Sequence, residues 1–161
     1  MQKILVTGFG GFIGYSLVKE LQKNFAITAF DNFSDFSNYD IKRARAGQLG
    51  IQNFDVFKRE RIFRKELTTF HYADLCNVEQ LEKIFSETSF DLIIHLAALT
   101  GVRQSLLNPR AYLDSNIKGF VNLLECANKF DVRKIIYASS SSVYGLNDET
   151  PFNFTFSVTS F

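Results

Sequence analysis

The chain has 161 residues, enough for one domain with a real core. Hydrophobic residues make up 46% and charged residues 22%, which excludes a disordered chain. The net charge of +1 excludes an overall pull toward nucleic acid or an anionic membrane. No apolar run reaches spanning length and no basic-then-apolar leader precedes the first apolar run, so a cytoplasmic location is expected.

Residues 3–7 form an apolar run that stops at Gly8, the first predicted strand. Residues 12–23 follow as a helix, with Ile13, Leu17, Val18 and Leu21 on one face. Residues 26–30 are a second strand. Residues 31–40, rich in Asp, Asn and Ser, read as a loop, and residues 41–66 as a more polar, partly helical stretch. Residues 68–72 are a third strand. Asn77 caps a helix carrying Val78, Leu81, Ile84 and Phe85. Residues 91–95 are a fourth strand, apolar onward through Ala98. Pro109 opens a long helix to about Lys129, since proline suits a first helical turn. Residues 132–138 are a fifth strand, ending in Ser139, Ser140, Ser141 and Ser142. Strands separated by helices imply a parallel sheet with right-handed crossovers, its strands buried on both faces.

The first turn carries a mechanical message. Its spacing is Gly8-x-x-Gly11-x-x-Gly14, with Gly10 extra. Gly8 permits a tight turn off the strand. Gly11 lets backbone approach a pyrophosphate with no Cβ in the way. Gly14 lets the helix lie close to the sheet. The helix start then offers unpaired N–H groups and partial positive charge to phosphates. Asp31 closes the next strand, where a carboxylate can accept both ribose hydroxyls of adenosine. A 2′-phosphate would meet a like charge there, so NAD is favoured over NADP. Asp74 ends the third strand and reads either as a contact to the adenine edge or as a helix-capping residue.

These residues resemble the extended short-chain dehydrogenase/reductase family, the NAD-dependent epimerases and dehydratases of nucleotide sugars. The resemblance runs from Lys3 to about Phe152. It is carried by residues 7–14, Asp31-Asn32, Asp74-Leu75, residues 95–98, Asn116, and Tyr137 through the serine run to Val143-Tyr144-Gly145. Within the family the chain is most similar to UDP-glucuronate and UDP-galacturonate 4-epimerases, through residues 101–105, Asn108-Pro109, Ala111-Tyr112, Ser115-Asn116, the four serines, and Tyr39-Asp40 with Lys42 and Arg45.

The resemblance implies a Rossmann-type doubly wound sheet, truncated after about five strands, with NAD as cofactor and a UDP-sugar as substrate. It implies that Phe12 and Ile13 present N–H groups to the pyrophosphate, that Asp31 and Asn32 hold the ribose, and that Asp74 and Leu75 flank adenine. Leu96, Ala97, Ala98 and Thr100 would line the cleft, Asn116 would be the polar residue of the long helix facing the cofactor, and Ser139 would touch the cofactor. Ser140 would hydrogen-bond the sugar hydroxyl that loses its proton. Ser141 and Ser142 would sit near the sugar carboxylate, and Arg103 is a candidate phosphate or carboxylate contact. Its alternative is a surface arginine.

The implied reaction is transient oxidation at sugar C4, with the keto sugar turning over and taking the hydride back on its other face. In the family the base is a tyrosine spaced YxxxK from a lysine. No tyrosine follows Tyr144, no lysine follows Lys134, and Asp148 stands four residues after Tyr144. The catalytic pair is therefore expected to be absent. Residues 1–152 are expected to be the NAD-binding part. Residues 153–161 are expected to be a tail out of frame or an interrupted gene, with the substrate domain missing and the fifth-strand edge an aggregation hazard. Two other readings stand beside the epimerase: a non-catalytic NAD-binding fragment, and a related dehydratase or decarboxylase. Ser140-Ser141-Ser142 in place of a TDE-like triplet disfavours the dehydratase. A homodimer is implied for the full-length family, and no nucleic-acid, membrane or metal partner is expected.

The remaining features are plainer. Eighteen Phe and no Trp suggest an aromatic core without a functional message. Cys76 and Cys126 read as buried free thiols. His71 and His95 read as packed histidines. Lys58, Arg59, Arg61, Arg64 and Lys65, interleaved with Phe57 and Phe63, read as a solvated face.

Overall fold

A computed structural model of the chain describes residues 1–36 and 38–144. The expected tail and the residues just before it lie outside the described residues. The elements in chain order are β1 (Lys3–Thr7), α1 (Phe12–Leu21), β2 (Ala26–Asp31), α2 (Tyr39–Gln48), α3 (Phe54–Glu60), β3 (Ile62–Lys65), β4 (Thr68–Tyr72), α4 (Val78–Glu87), β5 (Leu92–His95), α5 (Val102–Leu107), α6 (Pro109–Tyr112), a π-helical segment (Leu113–Lys118), α7 (Gly119–Lys129), β6 (Ile135–Tyr137) and a short 3-10 turn (Ser141–Tyr144).

The six strands form one sheet in the order β3-β4-β2-β1-β5-β6. The five expected strands are all present and parallel, with β1 at the centre between β2 and β5. The chain therefore winds outward first on one side of β1 and then on the other. That reversal opens a crevice at the carboxyl ends of the strands.

The sixth strand corrects the sequence reading. β3 lies within the stretch expected to be partly helical and pairs antiparallel with β4 at the sheet edge. Its residues are half-buried or exposed, and its exposed Arg64 and Lys65 suit an edge that meets water. The helix expected from Pro109 is interrupted by a π-helical segment, and α5, a helix the sequence reading did not anticipate, precedes it.

Two apolar layers sandwich the sheet. One packs Phe9, Phe33, Phe54, Phe57 and Phe70 with residues of β1, β2 and α1. The other joins Leu81, Ile84 and Phe85 of α4 to Leu123, Cys126 and Ala127 of α7. The helix face of α4 repeats at the spacing that buries one stripe, and Asn77 caps it by accepting from the Gln80 N–H.

Two of the phenylalanines join the turns at the end of the sheet. Phe9 sits inside the glycine turn and is fully buried. Its ring meets Phe33 edge-on at 5.4 Å and Phe70 at 5.0 Å. Phe33 directly follows the Asp31-Asn32 pair and adopts φ 48°. That conformation costs a non-glycine residue about 1–3 kcal/mol. Burial of the Phe33 ring offsets it. The turn after β1 and the turn after β2 are thus held against each other by aromatic packing.

No helix among the described residues is long and apolar enough to cross a membrane.

Candidate cofactor site

β1 delivers Thr7 to the sheet end, and the chain reverses at Gly8 with φ 78°. The Gly8 N–H donates to Phe30 O at 2.8 Å, and the Gly11 N–H donates to Gly8 O at 3.0 Å. A Cβ on Gly8 would lie 2.8 Å from the Ala97 nitrogen, so the turn rests on the backbone that leaves β5. A Cβ on Gly14 would fall 2.2 Å from Gly8 O. Gly14 therefore lets the helix approach the turn, rather than the sheet as expected from sequence.

The start of α1 is free of side-chain capping. Gly11 occupies the N-cap position and supplies no side-chain bond. Phe12 and Ile13 follow with exposed side chains, and both residues line an open cleft of about 600 Å³. An uncapped helix start of this kind attracts anions through its N–H groups and its dipole.

The cleft collects residues from the carboxyl ends of five strands. After β1 come Gly8, Gly11, Phe12, Ile13 and Gly14. After β2 come Asn32, Ser34 and Phe36, with Asp31 as its last residue. After β4 come Ala73, Asp74 and Leu75. After β5 come Leu96, Ala97, Ala98, Leu99 and Thr100, and after β6 come Ala138 and Ser139.

Asp31 is buried and already engaged. Its Oδ2 accepts from the Gly10 N–H at 3.0 Å, and its Oδ1 accepts from the Phe33 N–H at 2.7 Å. Lys42 on α2 places Nζ 3.4 Å from Oδ1. A carboxylate has about four acceptor positions, so about one remains open, not the two expected for a pair of ribose hydroxyls. Asn32 donates to Asp74 Oδ2 at 2.9 Å and accepts from the Ser34 N–H at 3.0 Å. Asp74 Oδ1 accepts from the Cys76 N–H at 2.8 Å. Asn32 and Asp74 are thus tied to each other across the ends of β2 and β4, while Asp31 is held separately by Gly10, Phe33 and Lys42.

The opposite wall hangs on a hydroxyl that sequence reading missed. Thr7 Oγ1 accepts from the Leu96 and Ala97 N–H groups at 3.1 and 3.0 Å. Its own proton is then free to donate to His95 Nδ1, 2.8 Å away. His95 stacks on Phe120 at 5.0 Å, and burial lowers its pKa to about 4. His71 is likewise lowered to about 4, by burial first and then by Arg64 and Lys83. Both are packed, as expected.

Asn116 does not line the cleft. Its amide accepts from the Leu99 N–H and donates to Leu99 O, both at 2.8 Å, and so holds the loop that does. The π-helical segment aims it there.

Ser139 lines the cleft, while Ser140, Ser141 and Ser142 lie on the exposed surface beside it. Ser140 Oγ donates to Ser142 Oγ at 3.1 Å and accepts from the Ser142 N–H at 3.2 Å. Arg103 is exposed on α5 and does not reach the cleft. The YxxxK spacing, expected to be absent, does occur once, at Tyr15 and Lys19. The pair lies on α1 and is not part of the cleft wall, with Lys19 Nζ donating to the Tyr15 hydroxyl at 3.3 Å and that hydroxyl donating to Gln48.

Gly10 is a further residue that sequence reading left without a role in the site, whereas the basic residues near Arg45 read either as meeting the adenosine side of the cofactor or as solvated. Gly10 donates to Asp31 and accepts from Arg45 Nη1 at 3.2 Å. Lys42 and Arg45 are three residues apart on α2, a spacing that places both on one helical face. That spacing was the available signal.

Cys76 departs from expectation. It is half-buried rather than buried, its Sγ donates to Asp114 O at 3.1 Å, and burial with Asp74 pushes the thiol up to about 11. Cys126 is buried as expected. Lys58, Arg59, Arg61, Arg64 and Lys65 are exposed, while Phe57 before them is buried and Phe63 among them is half-buried.

A central β1, a glycine turn into an uncapped helix and an acid closing β2 define a dinucleotide-binding α/β domain. Residues 4–160 match the NAD dependent epimerase/dehydratase family, and the chain belongs to that family. It is 41% identical over 152 residues to protein CapI of Staphylococcus aureus, covering 94% of this chain and 41% of that protein. It is also 41% identical over 152 residues to UDP-glucuronate 4-epimerase 6 of Arabidopsis thaliana, covering 93% of this chain and 30% of that one. Among solved structures it resembles UDP-glucuronic acid 4-epimerase from Bacillus cereus, in complex with UDP-glucuronic acid and NAD. The TM-score is 0.75 at 30% identity, over 92% of this chain and 43% of that one. The chain thus spans less than half the length of these relatives.

Proposed function

We propose that this chain forms the NAD-holding part of a UDP-sugar 4-epimerase of the UDP-glucuronate and UDP-galacturonate type. One observation carries the reading: the glycine turn, Asp31 with the bonded pair Asn32 and Asp74, and the Thr7-clamped segment after β5 line a single cleft. The site suits the cofactor. An uncapped helix start faces it, Gly11 presents no Cβ to it, and Asp31 keeps an acceptor position open. NAD bound there would supply reversible hydride removal at sugar C4.

The chain's own residues hold and orient. Phe12 and Ile13 offer N–H groups to the pyrophosphate. Asp31 and Asn32 take the ribose, with Asp74 and Leu75 beside adenine. Leu96, Ala97, Ala98, Thr100 and Ser139 shape the nicotinamide side, and Asn116 acts on it through Leu99. Ser140 meets the C4 hydroxyl, with Ser141, Ser142 and Arg103 toward the sugar carboxylate. The support for the three serines is their position in the chain directly after Ser139, and for Arg103 it is the sequence resemblance alone.

A second reading is favoured by the cleft wall itself. Among the described residues no tyrosine with a lysine four positions on lines it. The 161-residue chain alone would then bind NAD without turning over sugar. Calorimetric titration with NAD, followed by chromatography of UDP-glucuronate incubated with chain and NAD, separates the two. Binding with formation of UDP-galacturonate supports epimerisation by this chain, and binding alone supports the holding role. No binding of NAD overturns both.

A further inference from the structure

Two walls of the cleft touch through a pair of rings that the reading above leaves unused. Phe36, on the loop that follows β2, lines the cleft and is 40% exposed. Its ring meets that of Tyr112, the last residue of α6, edge-on with centroids 6.3 Å apart. Tyr112 belongs to the other wall. Its hydroxyl donates to Thr100 O at 2.8 Å and shares that proton with Gly101 O at 3.0 Å, in the segment that leaves β5. β2 and β5 stand on opposite sides of β1. Their ends are about 10 Å apart, two strand spacings. The ring pair therefore joins the β2 side of the cleft to the β5 side.

We propose that the Phe36 ring is a bar across the cofactor cleft, which rests on Tyr112, swings off to admit a dinucleotide and returns to slow its escape. This rests on the reading of the cleft as a dinucleotide site. A dinucleotide held at the strand ends of such a sheet runs from beside β2, past the central turn, to beside β5. The contact between Phe36 and Tyr112 crosses that course.

The two sides of the contact are unequal. Tyr112 is fixed at its ring by Phe36 and at its hydroxyl by two carbonyls. Phe36 has Tyr112 as its one ring contact among the described residues. The root of its loop is anchored, since Phe33 is buried and the Ser34 N–H donates to Asn32 Oδ1 at 3.0 Å. Tyr112 is thus the post, and the exposed Phe36 end is the part that moves. Magnitude decides that the bar opens. One edge-on ring pair favours the closed form by only about two- to tenfold. Association is slowed by the fraction of time the cleft is open, and a bar that closes over bound cofactor slows dissociation by a like factor. A gate therefore moves both rates and leaves the affinity nearly unchanged, whereas an ordinary contact moves dissociation alone.

The test is stopped-flow binding of NADH, the fluorescent form of the cofactor, to the 161-residue chain. Phe36→Ala is introduced into the wild type, into Tyr112→Phe and into Tyr112→Leu. In the wild type it should raise the association and dissociation rates together, each about two- to tenfold, with their ratio changed less than about twofold. The same acceleration should appear in Tyr112→Phe, which keeps the ring, and vanish in Tyr112→Leu, which has none. Faster dissociation at an unchanged association rate makes Phe36 an ordinary contact and overturns the proposal. Unchanged rates overturn it as well, and so does an acceleration that persists in Tyr112→Leu. If Phe36→Ala fails to fold, the two Tyr112 variants decide: both rates should be higher in Tyr112→Leu than in Tyr112→Phe, and equal rates overturn the proposal. In all of these outcomes NADH still binds and the cofactor reading stands. A wild type that does not bind NADH overturns this inference together with the function it rests on.

Discussion

The Thr7 hydroxyl and the His95 imidazole, 88 positions apart in sequence, form a buried hydrogen bond of 2.8 Å in which threonine donates to Nδ1. Two backbone N–H groups already occupy the threonine oxygen, so its proton has only the ring to go to. His95 must then be neutral, with its remaining proton on Nε2.

Stability should fall in acid for that reason. His95 and His71 both titrate at about 4 in the folded chain, below the 6.5 of an exposed histidine. Between those values the unfolded chain binds more protons than the folded one. Folding free energy is therefore fully present above pH 6.5 and is lost as pH falls toward 4. Each histidine contributes a slope of at most ~1.4 kcal/mol per pH unit. Urea midpoints at several pH values would show it, and His71→Gln should flatten the slope. A stability independent of pH between 7 and 5 would remove the basis for it.

Thr7→Val should cost about 2–4 kcal/mol, because it leaves Leu96 N–H, Ala97 N–H and His95 Nδ1 without a partner in a buried place. Thr7→Ser restores the oxygen and should recover most of that loss. Thermal melts followed by circular dichroism distinguish them. A valine variant as stable as the serine variant would mean that water reaches all three groups.

Two glycine substitutions should have opposite signs. Gly14→Ala drives a Cβ into the Gly8 carbonyl, with no flexible atom to yield, and should destabilise by about 1–3 kcal/mol or more. Gly47→Ala, on α2, meets nothing within 4 Å and should stabilise by about 0.5–1 kcal/mol. The contrast, read as melting temperatures, separates steric need from helix propensity.

The isolated chain should self-associate. Leu113, Ile117, Val121 and Leu124 recur at helical spacing from the π-helical segment into α7, and all are exposed. Ile136 and Tyr137 of β6, at the sheet edge among the described residues, are each 57% exposed. Exposed apolar side chains in such number seek cover. Sedimentation velocity should show concentration-dependent association, reduced by Ile117→Lys with Val121→Lys. A monomer at ~100 μM would show that these side chains are tolerated in water.

What was legible in the sequence was local. β1, β2 and β5 announce themselves as apolar runs, β4 as a short stretch of threonine and aromatic residues, and the glycine turn by its spacing. β3 did not, because an edge strand with Arg64 and Lys65 facing water lacks the buried pattern that marks a strand. α5 did not, because Val102, Leu106 and Leu107 are exposed and no apolar face could form. The site divided in the same way. Asp31 and Asp74 were visible as acids at strand ends. That Asp31 is shared with Gly10 and Lys42, or that Thr7 clamps the segment after β5, depends on contacts that no short spacing encodes.

The paired bonds between Asn116 and Leu99 bear on how such domains can be recombined. The amide copies the edge of a neighbouring strand, so the cleft loop takes its shape from a helix seventeen positions downstream. A crossover between Leu99 and Asn116 would join a loop to a helix never shaped for it. Chimeras of this fold should keep residues 99–116 as one inherited block.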